Sequence, residues 1–216
     1  MVINNFLIVG TGRIGSLSLA DTLNVTPDII STHEKFRDAR VLSNTRWDST
    51  ITDEDLVSGV RKSYTTFKNQ SGKIRVDSNC LVWNIIDVID FIDDDVGYIY
   101  IVRNRQQTVD SMMRTGFYTT TYPWSLRAKK GFINPFHPTY TEEDRRKNAE
   151  YAYDIRNGQI QKSFKQIDER RILRLDFDDM LRDNKQYMGR IINFMKTLSG
   201  IQIVNKTNLL HKHKTN

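Results

Sequence analysis

Short apolar runs alternate along this chain with longer stretches in which apolar residues recur at helical spacing. Residues 6–9 are an unbroken apolar run, suited to a strand buried on both faces. A helical pattern follows in Leu17, Leu19, Ala20 and Leu23, and Asn24 and Pro27 break it. Residues 28–31 predict a second short strand. The polar stretch 39–51 shows no period, has Trp47 as its only large apolar anchor, and is expected to be irregular. Thr52 followed by Asp55 has the form of a helix N-cap, with Leu56, Val60, Tyr64 and Phe67 as the stripe behind it. Gly72 is expected to end that helix, and residues 73–77 alternate as a third strand. The next stripe, Val82, Ile85, Ile86, Ile89 and Ile92, is expected to stop at the acids of 93–95 and Gly97. Residues 98–102 predict a fourth strand. Thr141 and Asp144 repeat the N-cap pattern, opening a helix to about Lys165, before a fifth strand at 171–176 and a helix through Ile191 and Phe194.

Composition narrows the setting. A chain of 216 residues suits one domain better than two, and 38% hydrophobic with 27% charged residues is an ordinary globular balance. Cys80 is the only cysteine, which excludes an internal disulfide and a multi-cysteine metal site. No apolar run approaches a membrane span, and the N-terminal run is too short and lacks the basic flank of a signal peptide. A cytoplasmic location is expected. The net charge of +6 favours anionic ligands. Nucleic acid is not an expected partner, because the basic residues are spread out and no recognised binding motif appears.

Candidate chemistry begins between the first strand and the first helix. Gly10, Gly12 and Gly15 stand there, where free amides of the first helical turn and the positive end of its dipole make an anion site. A phosphate-bearing ligand at residues 12–18 is expected; the plainer reading is a glycine turn. The spacing matches the G-x-G-x-x-G dinucleotide fingerprint, with Glu34 near where a ribose-binding acid belongs. As a Walker loop it fails, since Ser16 and Leu17 occupy the positions of lysine and serine or threonine. His33 and Glu34 sit at the exit of the second strand, where an imidazole or carboxylate can act as a general base. At the exit of the fourth strand, Arg103 and Ser111 offer an arginine fork and a hydroxyl suited to a phosphate dianion.

These stretches together resemble a sulfotransferase. Gly10-Thr11-Gly12-Arg13-Ile14-Gly15-Ser16-Leu17-Ser18-Leu19 is similar to the phosphosulfate loop of that family. Residues 98–104 with Ser111 resemble its strand ending in R-N-P with a serine eight residues after the arginine, although Arg105 replaces the proline. Residues 174–181 resemble a late strand and Y-E-D-L-like turn, with Phe177-Asp178-Asp179-Met180 in the turn's place. The resemblance implies a three-layer α/β/α domain with a mainly parallel sheet of about five strands, related to nucleotide kinases. It implies transfer of a sulfuryl group, without a metal, from 3′-phosphoadenosine 5′-phosphosulfate (PAPS, leaving as PAP) to a hydroxyl or amine of a small-molecule or glycan acceptor. Thr11, Gly12, Arg13, Ile14, Gly15, Ser16, Leu17 and Ser18 would hold the 5′ end, and Arg103 and Ser111 the 3′-phosphate. Arg13 would also compensate developing charge. Glu34 is the expected base, in Ser31-Thr-His-Glu34-Lys-Phe36 like the glutamate of glycan sulfotransferases. His33 is second, and if neither serves, the proton would leave through another group, such as Asp77 or the acceptor's own neighbours. Residues 76–79 carry no histidine, unlike the phenol and steroid enzymes.

Two segments stay open. Residues 116–140, with three of the four prolines and many aromatic and basic residues, predict a lid or acceptor loop, or equally a satellite core. The end of the chain, with His211 and His213, lacks a third metal ligand and is expected to be a basic tail. An NAD(P)-dependent oxidoreductase is the main alternative, and a non-catalytic module binding nucleic acid or anionic glycan is the third.

Overall fold

The computed structural model describes residues 2–36, 38–68, 72–121 and 130–203. Five strands, β1 (Asn5–Val9), β2 (Ile29–His33), β3 (Ile74–Ser78), β4 (Val96–Val102) and β5 (Ile172–Asp176), form one parallel sheet in the order β2-β3-β1-β4-β5. All of β1 is buried because helices cover both faces, as a parallel sheet requires. Its side chains alternate between two cores. Leu7 and Val9 join one with Tyr98 and Tyr100, while Phe6 and Ile8 join the other with Ile99 and Ile101. Each such side chain contributes roughly 1.5–3 kcal/mol through burial.

Helices α2 (Ala39–Trp47), α3 (Asp53–Thr65), α4 (Ile86–Ile92) and α6 (Glu142–Phe164) supply residues to the first core. Helices α1 (Ser16–Leu23) and α8 (Asn184–Ser199), with the short α7 (Phe177–Arg182), supply the second. This is the expected three-layer α/β/α arrangement. Helix α5 (Arg105–Arg114) packs on α6 through a smaller cluster of Val109, Met112, Tyr118, Ala149 and Ala152. The caps form as the sequence indicates: Thr52 accepts the Asp55 amide, and Thr141 and Asp144 form a reciprocal capping box.

Several local expectations need correction. Residues 39–47 are helical, although they show no apolar stripe. Ala39 and Leu42 reach the first core, with Trp47 packed against it, and polar bonds between elements add to them: Arg46 forks onto Asp87 at 2.6 and 2.8 Å, and the Ser43 hydroxyl donates to the Leu81 carbonyl at 2.7 Å. Helix α3 ends at Thr65, well before Gly72. The stripe at 82–92 splits into a 3-10 turn, Cys80–Val82, and α4. Gly97 does not stop that helix but lies inside β4, where a Cβ would come within 2.5 Å of the Phe6 ring.

The order of the strands also decides where a ligand can sit. β1 has β3 on one side and β4 on the other, so the chain departs to opposite sides of β1. The loops after β1, β2, β3 and β4 meet at one carboxyl edge, the crevice where open α/β sheets bind ligands. A dinucleotide-binding sheet would place β2 beside β1. Here β3 takes that position, against the oxidoreductase alternative.

Candidate active site

The loop after β1 is built to leave amides exposed at its end. A Cβ on Gly10 would lie 2.7 Å from Ile14 Cδ1 and 2.8 Å from the Ile101 carbonyl oxygen, so glycine lets the loop lie flat on the sheet. Gly12, Arg13 and Gly15 all take the left-handed region, with φ of 96°, 58° and 69°. The two glycines adopt it freely, whereas Arg13 does so at a cost of about 1–2 kcal/mol. Gly15 then caps α1 with no side-chain bond, and no acid stands in the first turn. The amides of Ser16, Leu17 and Ser18 therefore have no acceptor within the helix. Together with the helix dipole, they attract an anion.

Arginines gather around this loop. Arg13 Nε donates to the Ser111 hydroxyl at 3.1 Å, and Arg103 Nη1 to the Arg13 carbonyl at 2.6 Å. From α6, Arg156 Nη1 donates to the Thr11 carbonyl at 3.2 Å. None of these acceptors is anionic, so the loop is positively charged. Arg103 lies 4.5 Å over the Phe177 ring, and its carbonyl accepts the Tyr153 hydroxyl at 2.9 Å. Its buried Nε has no hydrogen-bond partner among the described residues. Burial and then the charges of Arg13 and Arg114 lower the Arg103 pKa, the electrostatic mark of cations crowded together.

Opposite the loop, Glu34 follows β2 with φ of 50°. Its amide donates to the Ser78 carbonyl at 3.2 Å. Its carboxylate takes the Cys80 thiol at 3.7 Å and stands 3.9 Å from Arg40 Nη2. Burial, and then the Glu34 charge, push the Cys80 thiol up to about 11, with Arg156 pulling the other way. Cys80 is accordingly a protonated neighbour, not a nucleophile. His33 Nε2 shares a hydrogen bond of 3.0 Å with the Ser16 hydroxyl, tying β2 to the loop.

A cavity of about 500 Å³ joins these parts. The loop from Gly12 to Ser18, His33, Glu34, Arg103 and Arg156 all line it. Trp83, Phe117 and Phe132 make an aromatic wall. Its size and mix of apolar walls with a few convergent polar groups suit a nucleotide-sized ligand.

Of the residues expected from sequence, Gly12, Arg13, Gly15, Ser16, Leu17, Ser18, His33, Glu34 and Arg103 line the cavity. Ser111 stands behind Arg13. Thr11 is buried with its hydroxyl unpaired among the described residues, and Ile14 joins the second core, so either would contribute to a ligand through backbone position. Asp77 is corrected as a candidate base: it is fully buried and both oxygens are occupied. Arg156, Arg40, Cys80, Trp83 and Phe177 were not anticipated. Phe177 had a visible signal, since it opens the late turn. Asp176 caps α7, and Asp183 caps α8.

Within 116–140, Tyr118 is buried in the small α5–α6 core, and Phe117 and Phe132 pack against that core and also line the cavity. Tyr122, Trp124, Arg127 and Lys129 lie outside the described residues, as do His211 and His213.

The class this fold defines is a three-layer, P-loop-like α/β domain with its ligand crevice beyond β1. No family model matches the chain, and no curated protein matches it. Solved structures do. The sulfotransferase domain from the curacin biosynthetic pathway superposes with a TM-score of 0.64 at 13% identity, over 100% of this chain and 79% of that one. The sulfotransferase domain of the Synechococcus PCC 7002 olefin synthase gives 0.54 at 15%, over 90% and 74%. A sulfotransferase from Alicyclobacillus acidocaldarius gives 0.53 at 15%, over 98% and 88%. The chain has the sulfotransferase fold.

Proposed function

We propose that this protein is a sulfotransferase that moves a sulfuryl group from PAPS to an acceptor hydroxyl of a small molecule or glycan. The observation that carries this reading is the single cavity in which an uncapped helix start and an arginine cluster face a carboxylate. Such a site fits a ligand bearing anions at two points. The amides of residues 16–18 and Arg13 suit a 5′-phosphosulfate, while Arg103, whose buried Nε has no partner among the described residues, and the nearby Ser111 suit a 3′-phosphate.

When bound, PAPS supplies the sulfuryl group, whose bond to the 5′-phosphate breaks as the acceptor oxygen attacks. The chain's part is positioning and charge. The α1 amides and Arg13 compensate charge developing on the leaving phosphate. Glu34 takes the acceptor proton. Both residues line the cavity, and Glu34 is preferred because the His33 ring makes a 3.0 Å bond to Ser16, whereas the Glu34 carboxylate has the looser partners Cys80 at 3.7 Å and Arg40 at 3.9 Å. The aromatic wall of Trp83, Phe117 and Phe132 supports an acceptor with a flat or apolar face.

Calorimetric titration tests the division of the two anion sites. Arg103→Ala is expected to weaken PAP by about 1.5–3 kcal/mol, the value of a charge-assisted contact. Adenosine 5′-phosphosulfate, which lacks the 3′-phosphate, should lose far less. Equal weakening of the two ligands removes Arg103 from the 3′ end.

A further inference from the structure

Asp77 ends far from solvent, with no exposed surface, and four donors reach its carboxylate. Oδ1 accepts from the Thr32 hydroxyl at 2.9 Å and the Lys35 amide at 3.0 Å. Oδ2 accepts from the Phe36 amide at 3.2 Å and Asn79 Nδ2 at 3.0 Å. Thr32, Lys35 and Phe36 bracket Glu34, the residue whose backbone takes the left-handed conformation. Asn79 leads to the other side of the same group. Its Oδ1 accepts the Leu81 amide at 2.9 Å and so caps the 3-10 turn that carries Cys80, whose sulfur lies 3.7 Å from Glu34 Oε1.

We propose that Asp77 is a positioning residue for Glu34: one buried carboxylate both holds the turn on which Glu34 sits and fixes the wall against which its side chain rests. The inference rests on Glu34 being the base. An amide cannot take over this role. Whichever oxygen becomes an NH2 group faces a backbone amide, Lys35 or Phe36, that has no acceptor to offer, and Asn79 cannot turn round without losing Leu81. Asp77 itself touches no substrate.

The test uses hydrolysis of PAPS to PAP and sulfate, with water in the acceptor's place, in the wild type, Asp77→Asn, Glu34→Gln and the double variant. Asp77→Asn should leave PAP affinity unchanged and lower kcat by about a hundredfold at constant KM, the usual result of displacing a catalytic group by an ångström. In the Glu34→Gln background it should cost nothing more. A crystal structure of Asp77→Asn should show Glu34 out of the left-handed region and its carboxylate away from Cys80. Glu34 unmoved in that structure, or losses that multiply in the double variant, overturn the proposal. If Glu34→Gln hydrolyses PAPS like the wild type, the base assignment fails instead, and the crystal structure still decides what Asp77 holds. Should Asp77→Asn not fold, Thr32→Val removes one donor only and should lower kcat about fivefold, the value of one hydrogen bond.

Discussion

Glu34 and His33 are neighbours at one strand exit, yet their surroundings separate them. His33 is bonded to the phosphate loop through Ser16, and Glu34 leans on a thiol that burial and its own charge keep protonated. Glu34→Gln preserves shape and removes the proton acceptor, so PAP affinity should survive while sulfuryl transfer falls about 10²–10⁴-fold. Paired calorimetry and turnover measurements check this. Transfer that survives Glu34→Gln within twofold but is abolished by His33→Ala would give the role of base to His33. The residues legible in the sequence are those that directly follow a strand, because a parallel sheet carries every strand exit to the same edge. Glycine spacing marks 10–15, and strand ends mark Glu34 and Arg103. Arg156 carried no such mark. It lies in the middle of α6, 145 positions from the Thr11 carbonyl it touches, and only the packing of α6 beside the loop brings the two together. Arg40 was hidden for a related reason, since its helix was itself not seen.

At the scale of elements, the periodic signal succeeded where apolar side chains alone hold the structure. β1, β4 and α8 bury continuous runs or stripes, and their patterns show it. α2 escaped because Ala39, Leu42 and Trp47 are too few to show a stripe, and its other anchors are a guanidinium fork and a hydroxyl, which no hydropathy pattern displays. Gly97 was misassigned because glycine before a strand and glycine within one look alike; the Phe6 ring it accommodates comes from β1. α6 gives a direct test of local design. It is the longest of the described helices, running 23 residues, and begins with a capping box in which Thr141 and Asp144 satisfy each other's backbone amides. Its far part delivers Tyr153 and Arg156 to the site. Thr141→Ala should cost about 0.5–2 kcal/mol in urea unfolding, the usual value of an N-cap. PAP affinity should not change, because the cap lies about three turns from Tyr153. A loss of affinity matching the loss of stability would mean that α6 moves as a rigid lever from its first turn.

For the whole molecule, the question is which anionic ligand the crevice was shaped for. G-x-G-x-x-G alone admits a dinucleotide, but the sheet places β3 beside β1, and Arg103 and Ser111 add a second cationic position beside the loop. A pyrophosphate held only by a helix N-terminus needs neither Arg103 nor Ser111, whereas a nucleotide phosphorylated at both 3′ and 5′ positions uses both. PAP should therefore stabilise the folded protein and NAD should not. At a hundred times its dissociation constant a ligand adds about 2.7 kcal/mol, which for a domain of this length corresponds to a rise of roughly 5–10 °C in Tm. ATP tests the Walker reading in the same assay. It lacks a 3′-phosphate, and Ser16 occupies the place of the Walker lysine, so its effect should be well below that of PAP at equal concentration. Added salt provides an internal control. Because the crevice attracts its ligand through arginines bonded to neutral acceptors, the PAP-dependent rise should shrink as ionic strength increases. A clear rise with NAD and none with PAP would sink the sulfotransferase reading, and equal rises with PAP and ATP would show that the Arg103 side of the crevice does not recognise a 3′-phosphate.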